Sequence, residues 1–215
     1  MKIKEIPSQE EVWDEIAGSW DERRQKTGPM ILNFVKEARG NFLDLGCGSG
    51  RNLIKNEGVE FYLVDFSQKM LDLAEKKAKT LKIKFKLIKT DVSILSCFEN
   101  NFFDNALYIA TLHCLEKKKR EKSLKELYRV LKKGGKAIIT IWNTSHPAFK
   151  RFKNKKEILL AWRTGEDNEK RNLRYYYFYG QEEFLKDLKK VGFKVLDIRD
   201  SKEHTGLIAF IQKNK

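Results

Sequence analysis

A chain of 215 residues that is 41% hydrophobic has the size and apolar content of one α/β domain with modest elaborations. No apolar run reaches the ~18 residues of a membrane span, and residues 1–10 are too polar to read as a secretory signal. Cys47, Cys97 and Cys114 lack metal-site spacing, and an odd set of this kind fits reduced thiols in a cytoplasmic protein with no metal. The 44 basic and 30 acidic residues leave a formal charge of +14, which attracts polyanions, nucleic acid being the commonest. A lysine-rich surface adapted to heat is the other source of such a charge, but there Glu rises alongside Lys, and here the acids fall short.

In chain order, residues 9–24 predict an amphipathic helix with Val12, Trp13, Ile16, Ala17 and Trp20 on one face. A second helix follows over 29–38, with Pro29 at its start. Strand 41–45 runs into Gly46-Cys47-Gly48-Ser49-Gly50, with a helix beginning near those glycines. Strand 60–64 ends at Asp65, and Ser67 caps a helix running to about Leu81. Strand 83–89 precedes Asp91, and strand 103–110 leads to His113. A basic helix over 118–132 stops at Gly134-Gly135 and is followed by an apolar strand, 136–142. Residues 143–174 read as an irregular insertion rich in Lys and Arg, and the chain closes with helix 181–191 and strands 193–200 and 204–212. Alternating strands and helices with a glycine turn after the first strand predict a doubly wound, mostly parallel sheet with ligand at the strand C-termini. The terminal hairpin adds one antiparallel strand, for seven in all.

The chemistry concentrates at Leu43-Asp44-Leu45-Gly46-Cys47-Gly48-Ser49-Gly50. A glycine turn after a strand is a weak signal alone, and the spacing is neither that of a dinucleotide fingerprint nor that of a phosphate loop with its Lys. Gly46, Gly48 and Gly50 let backbone approach a ligand where Cβ atoms would collide. Asp44 precedes them. Asp65 ends the second strand, where a carboxylate accepts from ribose hydroxyls, and Asp91 follows the third, where it faces an adenine amino group. Each aspartate alone also reads as a turn former or cap. Together they resemble the class I, Rossmann-like methyltransferases over residues 40–142. By that resemblance the cofactor is S-adenosylmethionine: Asp44 and the loop serve its methionine end, Asp65 and Phe66 the ribose, and Asp91 with Val92 the adenine. Gly46, Cys47, Gly48, Gly50, Asn52 and Ile109 complete the wall, with Cys47 a small filler in place of a nucleophile.

The segment after the fourth strand bears on the acceptor. Ala110-Thr111-Leu112-His113-Cys114 is not the N/D-P-P-Y/F loop of exocyclic-amine methyltransferases. Carbon-5 methylation needs a nucleophilic Cys, and Cys114 lacks the usual Pro-Cys or Thr-Cys context. His113 reads either as a residue positioning the acceptor or as a satisfied loop histidine. Ile16-Ala17 with Trp20 and Arg24, the 110–114 segment, and Arg174-Tyr175-Tyr176-Tyr177-Phe178-Tyr179 with Glu182, Glu183 and Phe184 resemble the eukaryotic tRNA wobble-uridine carboxymethyl methyltransferases, which esterify 5-carboxymethyluridine. Cys114 stands where that family has a second His, Gly28 where it has a Trp, and the insertion is short.

The resemblance implies a tRNA partner and a carboxylate acceptor steered by Arg24, His113 and Arg174, with no general base. Tyr175 and Tyr176 are candidates for stacking on splayed bases, or are rings buried on a strand. Lys153, Lys155 and Lys156, with the run 117–120, are candidates for gripping phosphates, though such runs are commonly solvated faces. The family also works with a small zinc-binding activator, which would dock on the edge formed by the third and fourth strands. One methyltransferase domain spanning 1–215 is expected, with N-terminal helices (1–38), a cofactor core (40–142), a basic substrate insertion (143–180) and a C-terminal helix and hairpin (181–215). A small-molecule methyltransferase acting on a quinone or metabolite, and a non-catalytic cofactor-binding scaffold, share the cofactor half.

Overall fold

The computed structural model describes residues 3, 5–143, 147–152, 154–165, 169–201 and 206–215, with 148 and 201 in backbone only. Helices α1 (Gln9–Arg23) and α2 (Pro29–Glu37) open the chain. Then come β1 (Gly40–Leu45), β2 (Val59–Asp65), α3 (Gln68–Leu81), β3 (Lys84–Lys89), β4 (Phe103–Ile109), a one-turn helix Leu112–Cys114, α4 (Lys117–Val130) and β5 (Leu131–Trp142). A 3-10 turn Pro147–Phe152 leads to β6 (Glu157–Thr164) and β7 (Lys170–Tyr177), and α5 (Gln181–Val191), β8 (Phe193–Ser201) and β9 (Gly206–Lys213) follow.

Seven strands form one sheet in the order β3-β2-β1-β4-β5-β9-β8. Strand β9 runs antiparallel to both neighbours, and the other pairings are parallel. The near-continuous apolar runs of β1, β2, β4 and β5 fit strands covered on both faces. Alternation then divides the core. Leu43, Leu45, Tyr62 and Val64 pack with Leu124 and Leu127 of α4 and Phe184 and Leu188 of α5. Phe42, Phe61 and Leu63 point the other way, against Ile31 and Val35 of α2 and Leu71, Ala74 and Ala78 of α3. No helix among the described residues is long and apolar enough to cross a membrane.

Four details depart from the sequence expectations. No helix follows the glycine loop: residues 46–58 are turns and irregular chain. Helix α4 ends at Val130 and the chain turns directly into β5, where Leu131 pairs with Phe103. Gly134 therefore lies inside the strand, at φ +78°, at an irregularity of register, and is not a helix stop. Residues 143–174 are not irregular throughout, since β6 and β7 pair as an antiparallel hairpin from Glu157↔Tyr177 to Thr164↔Lys170. Finally, β4 is interior, between β1 and β5, so β3 alone of the two strands assigned to an activator forms an edge.

Asn56 takes over the anchoring that a helix would give the 51–58 segment. Its side-chain amide donates to the carbonyls of Val35, Lys36 and Ala38 at 2.7, 3.2 and 3.1 Å, closing the C-terminus of α2. Asn56→Ala is expected to cost about 1–2 kcal/mol. In a chain of this size that lowers the thermal midpoint by roughly 2–8 °C, measurable by calorimetry. An unchanged midpoint rules out the anchoring role.

Candidate active site

The C-terminal ends of β1, β2 and β4 open onto a cleft of about 1020 Å³ counted to its mouth. The loop after β1 forms its floor. Gly46 and Gly48 sit at φ +73° and +53°, a left-handed region that costs L-residues energy. A Cβ on Gly46 would run into the Thr111 side chain, so this glycine is required by packing within the protein. A Cβ on Gly48 would meet nothing within 4 Å, and its open side is the one left for a ligand. Gly50 is held by Leu53 and Ala74 behind the loop.

Asp65 ties this floor to the next element. One carboxylate oxygen accepts from Gly48 N–H at 2.9 Å and the other from Ser67 N–H at 3.0 Å. Burial raises its pKa to about 6, opposed by these backbone donors. Ser67 caps α3 by accepting from Met70 N–H at 3.1 Å and donates to Asp14 of α1 at 2.5 Å, which draws α1 over the cleft. Asp44 is 1% exposed, and among the described residues neither of its oxygens makes a hydrogen bond of good geometry, although the Asn52 side chain and Arg51 are near enough to favour its charge. Burial lifts its pKa to about 7 against the pull of Arg51. Asp91 accepts from Ser93 N–H at 2.9 Å and is salt-bridged to Lys119 at 2.7 Å. Burial works against its charge, but Lys119 and Ser93 hold its pKa below the usual value.

Gly46, Cys47, Gly48, Asn52, Asp65, Phe66, Asp91, Val92 and Ile109 line the cleft, while Asp44 and Gly50 lie behind the loop. Tyr175 also lines it, but its ring is 1% exposed and its hydroxyl donates to Glu157 at 2.9 Å, so no face is free for a base. Tyr176 is as buried, stacked on Trp142 at 4.1 Å.

His113 lies outside the cleft wall, fully buried against Trp142 and Tyr176 at 4.9 and 5.7 Å. Its Nδ1 accepts from Trp142 N–H at 3.3 Å, and burial drives its pKa down to about 3. The expectation that it steers an acceptor gives way to a neutral core histidine. Burial pushes the Cys114 thiol up to about 12, far from a thiolate nucleophile.

Arg174 is 6% exposed, with its guanidinium 4.8–5.8 Å from the rings of Trp13, Trp20, Trp162 and Tyr176. One terminal nitrogen donates to the Tyr176 hydroxyl at 2.6 Å, and Nε has no partner. Among the described residues Arg174 forms no ion pair. Arg24 lies over Trp20 at 5.2 Å, on the wall of a neighbouring cavity.

Three of the candidate phosphate grips are engaged within the protein, while Lys117 and Lys118 are exposed. Lys119 holds Asp91, Arg120 is buried over Tyr177 at 3.6 Å, and Lys156 pairs with Glu183 at 2.7 Å. Lys155 is exposed, and Lys153 lies outside the described residues. Sequence reasoning did not place Gln9, Arg51, Thr111 or Lys119 at the cleft, and it read Trp13 and Trp20 as core. The usable signals were Arg51 directly after the glycines and two tryptophans one helical repeat apart on α1.

A model of the methyltransferase domain matches residues 43–139. Over 210 residues the chain is 32% identical to an Encephalitozoon cuniculi protein named as a methyltransferase, covering 94% of this chain and 93% of that one. The chain belongs to the methyltransferase family. This methyltransferase is also 31% identical over 134 residues to the tRNA (carboxymethyluridine(34)-5-O)-methyltransferase of Arabidopsis thaliana, covering 61% of this chain but only 31% of that protein. An S-adenosylmethionine-dependent methyltransferase of Methanosarcina mazei superposes with a TM-score of 0.67 at 24% identity, over 88% of this chain and 99% of that one. That likeness is one of fold. S-adenosylmethionine is the cofactor of enzymes with this fold, and two features fit it: a glycine of the cleft floor whose missing Cβ leaves room, and the buried Asp44 carboxylate behind the loop, which forms no ion pair among the described residues.

A ligand that brings a cation to Asp44 needs it ionised. With a free-site pKa of about 7, affinity for S-adenosylhomocysteine is expected to rise up to about tenfold per pH unit between roughly pH 5 and 7 and then level off. Asp44→Asn should weaken binding and flatten the rise. Without ligand the folded state holds this proton more tightly than the unfolded chain. Stability should therefore fall as pH climbs from about 4 to about 7, and less so in Asp44→Asn. Calorimetric titration and thermal melts across pH measure both. A wild-type affinity that does not vary with pH sinks the assignment.

Proposed function

We propose that this methyltransferase esterifies the carboxylate of 5-carboxymethyluridine at the wobble position of tRNA. The observation that carries the reading is Arg174. A buried guanidinium without an acid is costly, and an anionic acceptor beside the cleft is what it lacks. Its single hydrogen bond leaves other N–H groups to orient a carboxylate without gripping both oxygens, which would blunt the nucleophile.

The surroundings support an acceptor that is already ionised. His113 is neutral and walled in, and Cys114 stays protonated, so neither supplies a base or a covalent nucleophile. A carboxylate needs neither, because it carries its charge above about pH 4. When bound, S-adenosylmethionine supplies an electrophilic methyl group on a sulfonium. The chain's own residues hold and align: Asp44 and the loop after β1 at the methionine end, Asp65 and Phe66 at the ribose, Asp91 and Val92 at the adenine. Trp13 and Trp20 of α1 exclude water, and Arg174 with Arg24 orients the acceptor. The +14 charge supports a polyanionic substrate, as does the likeness to the carboxymethyluridine enzyme. The same resemblance assigns a small zinc-binding activator, for which β3 is the available edge.

Single-turnover methylation of tRNA bearing 5-carboxymethyluridine tests the reading. The chemical step should be nearly flat from about pH 6 to 9. Arg174→Ala should slow it by roughly 10- to 150-fold, the worth of a hydrogen bond to a charged group, while still binding S-adenosylhomocysteine. Cys114→Ser should retain most activity. Absence of an ester product, or a folded but inactive Cys114→Ser enzyme, overturns the proposal; the first result favours a small-molecule acceptor.

A further inference from the structure

Beside the cofactor cleft lies a second cavity, of about 1310 Å³ counted to its mouth. Trp20, Arg51 and Ala110 line both, so an occupant of one adjoins an occupant of the other. Arg23, Arg24, Lys26 and Arg51 line the second cavity, against the single carboxylate of Glu22. Among the described residues, none of these four cations forms a salt bridge. The lining also includes Gly28, the N-cap of α2, which carries no capping side chain and precedes Pro29. The positive end of that helix dipole therefore begins at the cavity wall. Burial lowers the Arg51 pKa and nearby Arg24 lowers it further, with Asp44 behind the loop opposing them.

We propose that this cavity is a phosphate subsite, taking the phosphodiester next to the nucleotide whose base reaches Arg174. The assignment rests on the RNA reading above and names the group that anchors the RNA. A carboxylate is planar and finds its partner in the aromatic cage. A phosphodiester offers two charged oxygens to several donors at once, which suits a wall of three arginines and a lysine. The Lys119 and Lys156 ammoniums are paired with Asp91 and Glu183, whereas these four cations line the cavity without a carboxylate partner among the described residues, Arg23 and Arg24 lying over the rings of Trp162 and Trp20.

Trp20 and Trp142 line the cavity, so intrinsic fluorescence reports its filling. The probes are inorganic phosphate, a uridine-centred ribonucleotide trimer, and the same trimer with uncharged methylphosphonate links. The variants are Arg23→Gln with Lys26→Gln, both at exposed positions where folding is not at stake, and separately Arg51→Gln. The charged trimer should bind about tenfold or more tighter than its uncharged analogue, and the double variant should erase most of that difference. S-adenosylhomocysteine affinity should be unchanged in the double variant. Equal binding of both trimers by the wild type overturns the proposal, as does inorganic phosphate binding without preference between trimers, which marks a free-anion site. Loss of S-adenosylhomocysteine affinity in the double variant with trimer binding intact also overturns it, since the cations then serve the cofactor. None of these arms uses 5-carboxymethyluridine, so a failed esterification leaves this test standing.

Discussion

The active end of this methyltransferase hangs on one carboxylate. Asp65 accepts a backbone N–H from the loop after β1 and another from the turn that starts α3. The floor of the cleft and its side wall are thereby fixed to one β2 residue. Ser67 extends the connection to Asp14, and Asp14 also accepts from Lys69 N–H at the positive end of α3. Four separate segments thus converge through short polar contacts beside an apolar sheet. Burial raises the cost of ionising Asp65, and the two backbone donors offset part of it.

Around this fixed point the charges are left uneven. Asp44 is a buried acid and Arg174 a buried cation, and among the described residues neither forms an ion pair. Separately each is a destabilising feature of an empty protein. Under the proposed function a cationic methyl donor and an anionic acceptor would each bring the opposite charge, and binding would restore stability given up at these two positions. Ala110, at φ +54° and shared by both cavities, adds backbone strain at the same spot, held by Thr140.

Much of the fold was legible because local rules and the global arrangement agree. The alternation of strands and helices, the Ser67 cap and the glycine loop with acids at successive strand ends each point to the same doubly wound sheet. What escaped depends on long-range partners. The hairpin β6–β7 looked irregular because its Lys and Arg residues hide the alternation that buries Ile158, Trp162 and Tyr176. His113 looked available because a loop position says nothing of the two rings that close over it. Lys119 and Arg120 looked like solvated charges, while their partners lie 28 residues away for the first and on β7 for the second. Arg51 was passed over because its importance comes from the α1–α2 turn, which only the fold brings beside it.

The β6–β7 hairpin has a consequence for how the enzyme opens. Two strands alone are marginal in water, and this pair stands apart from the seven-stranded sheet. It is fastened to α1 instead: Gln9 bonds Leu173 and Tyr175 across β7, Ser19 accepts from the Trp162 indole at 2.8 Å, and Glu15 pairs with Lys170 at 2.8 Å. Helix and hairpin are therefore coupled to each other, while Tyr176 stacked on Trp142 ties the hairpin to β5. Because Trp13 and Trp20 line the cleft and the Arg174 guanidinium lies against both rings, a local opening of this helix would uncover the cleft wall and the guanidinium together.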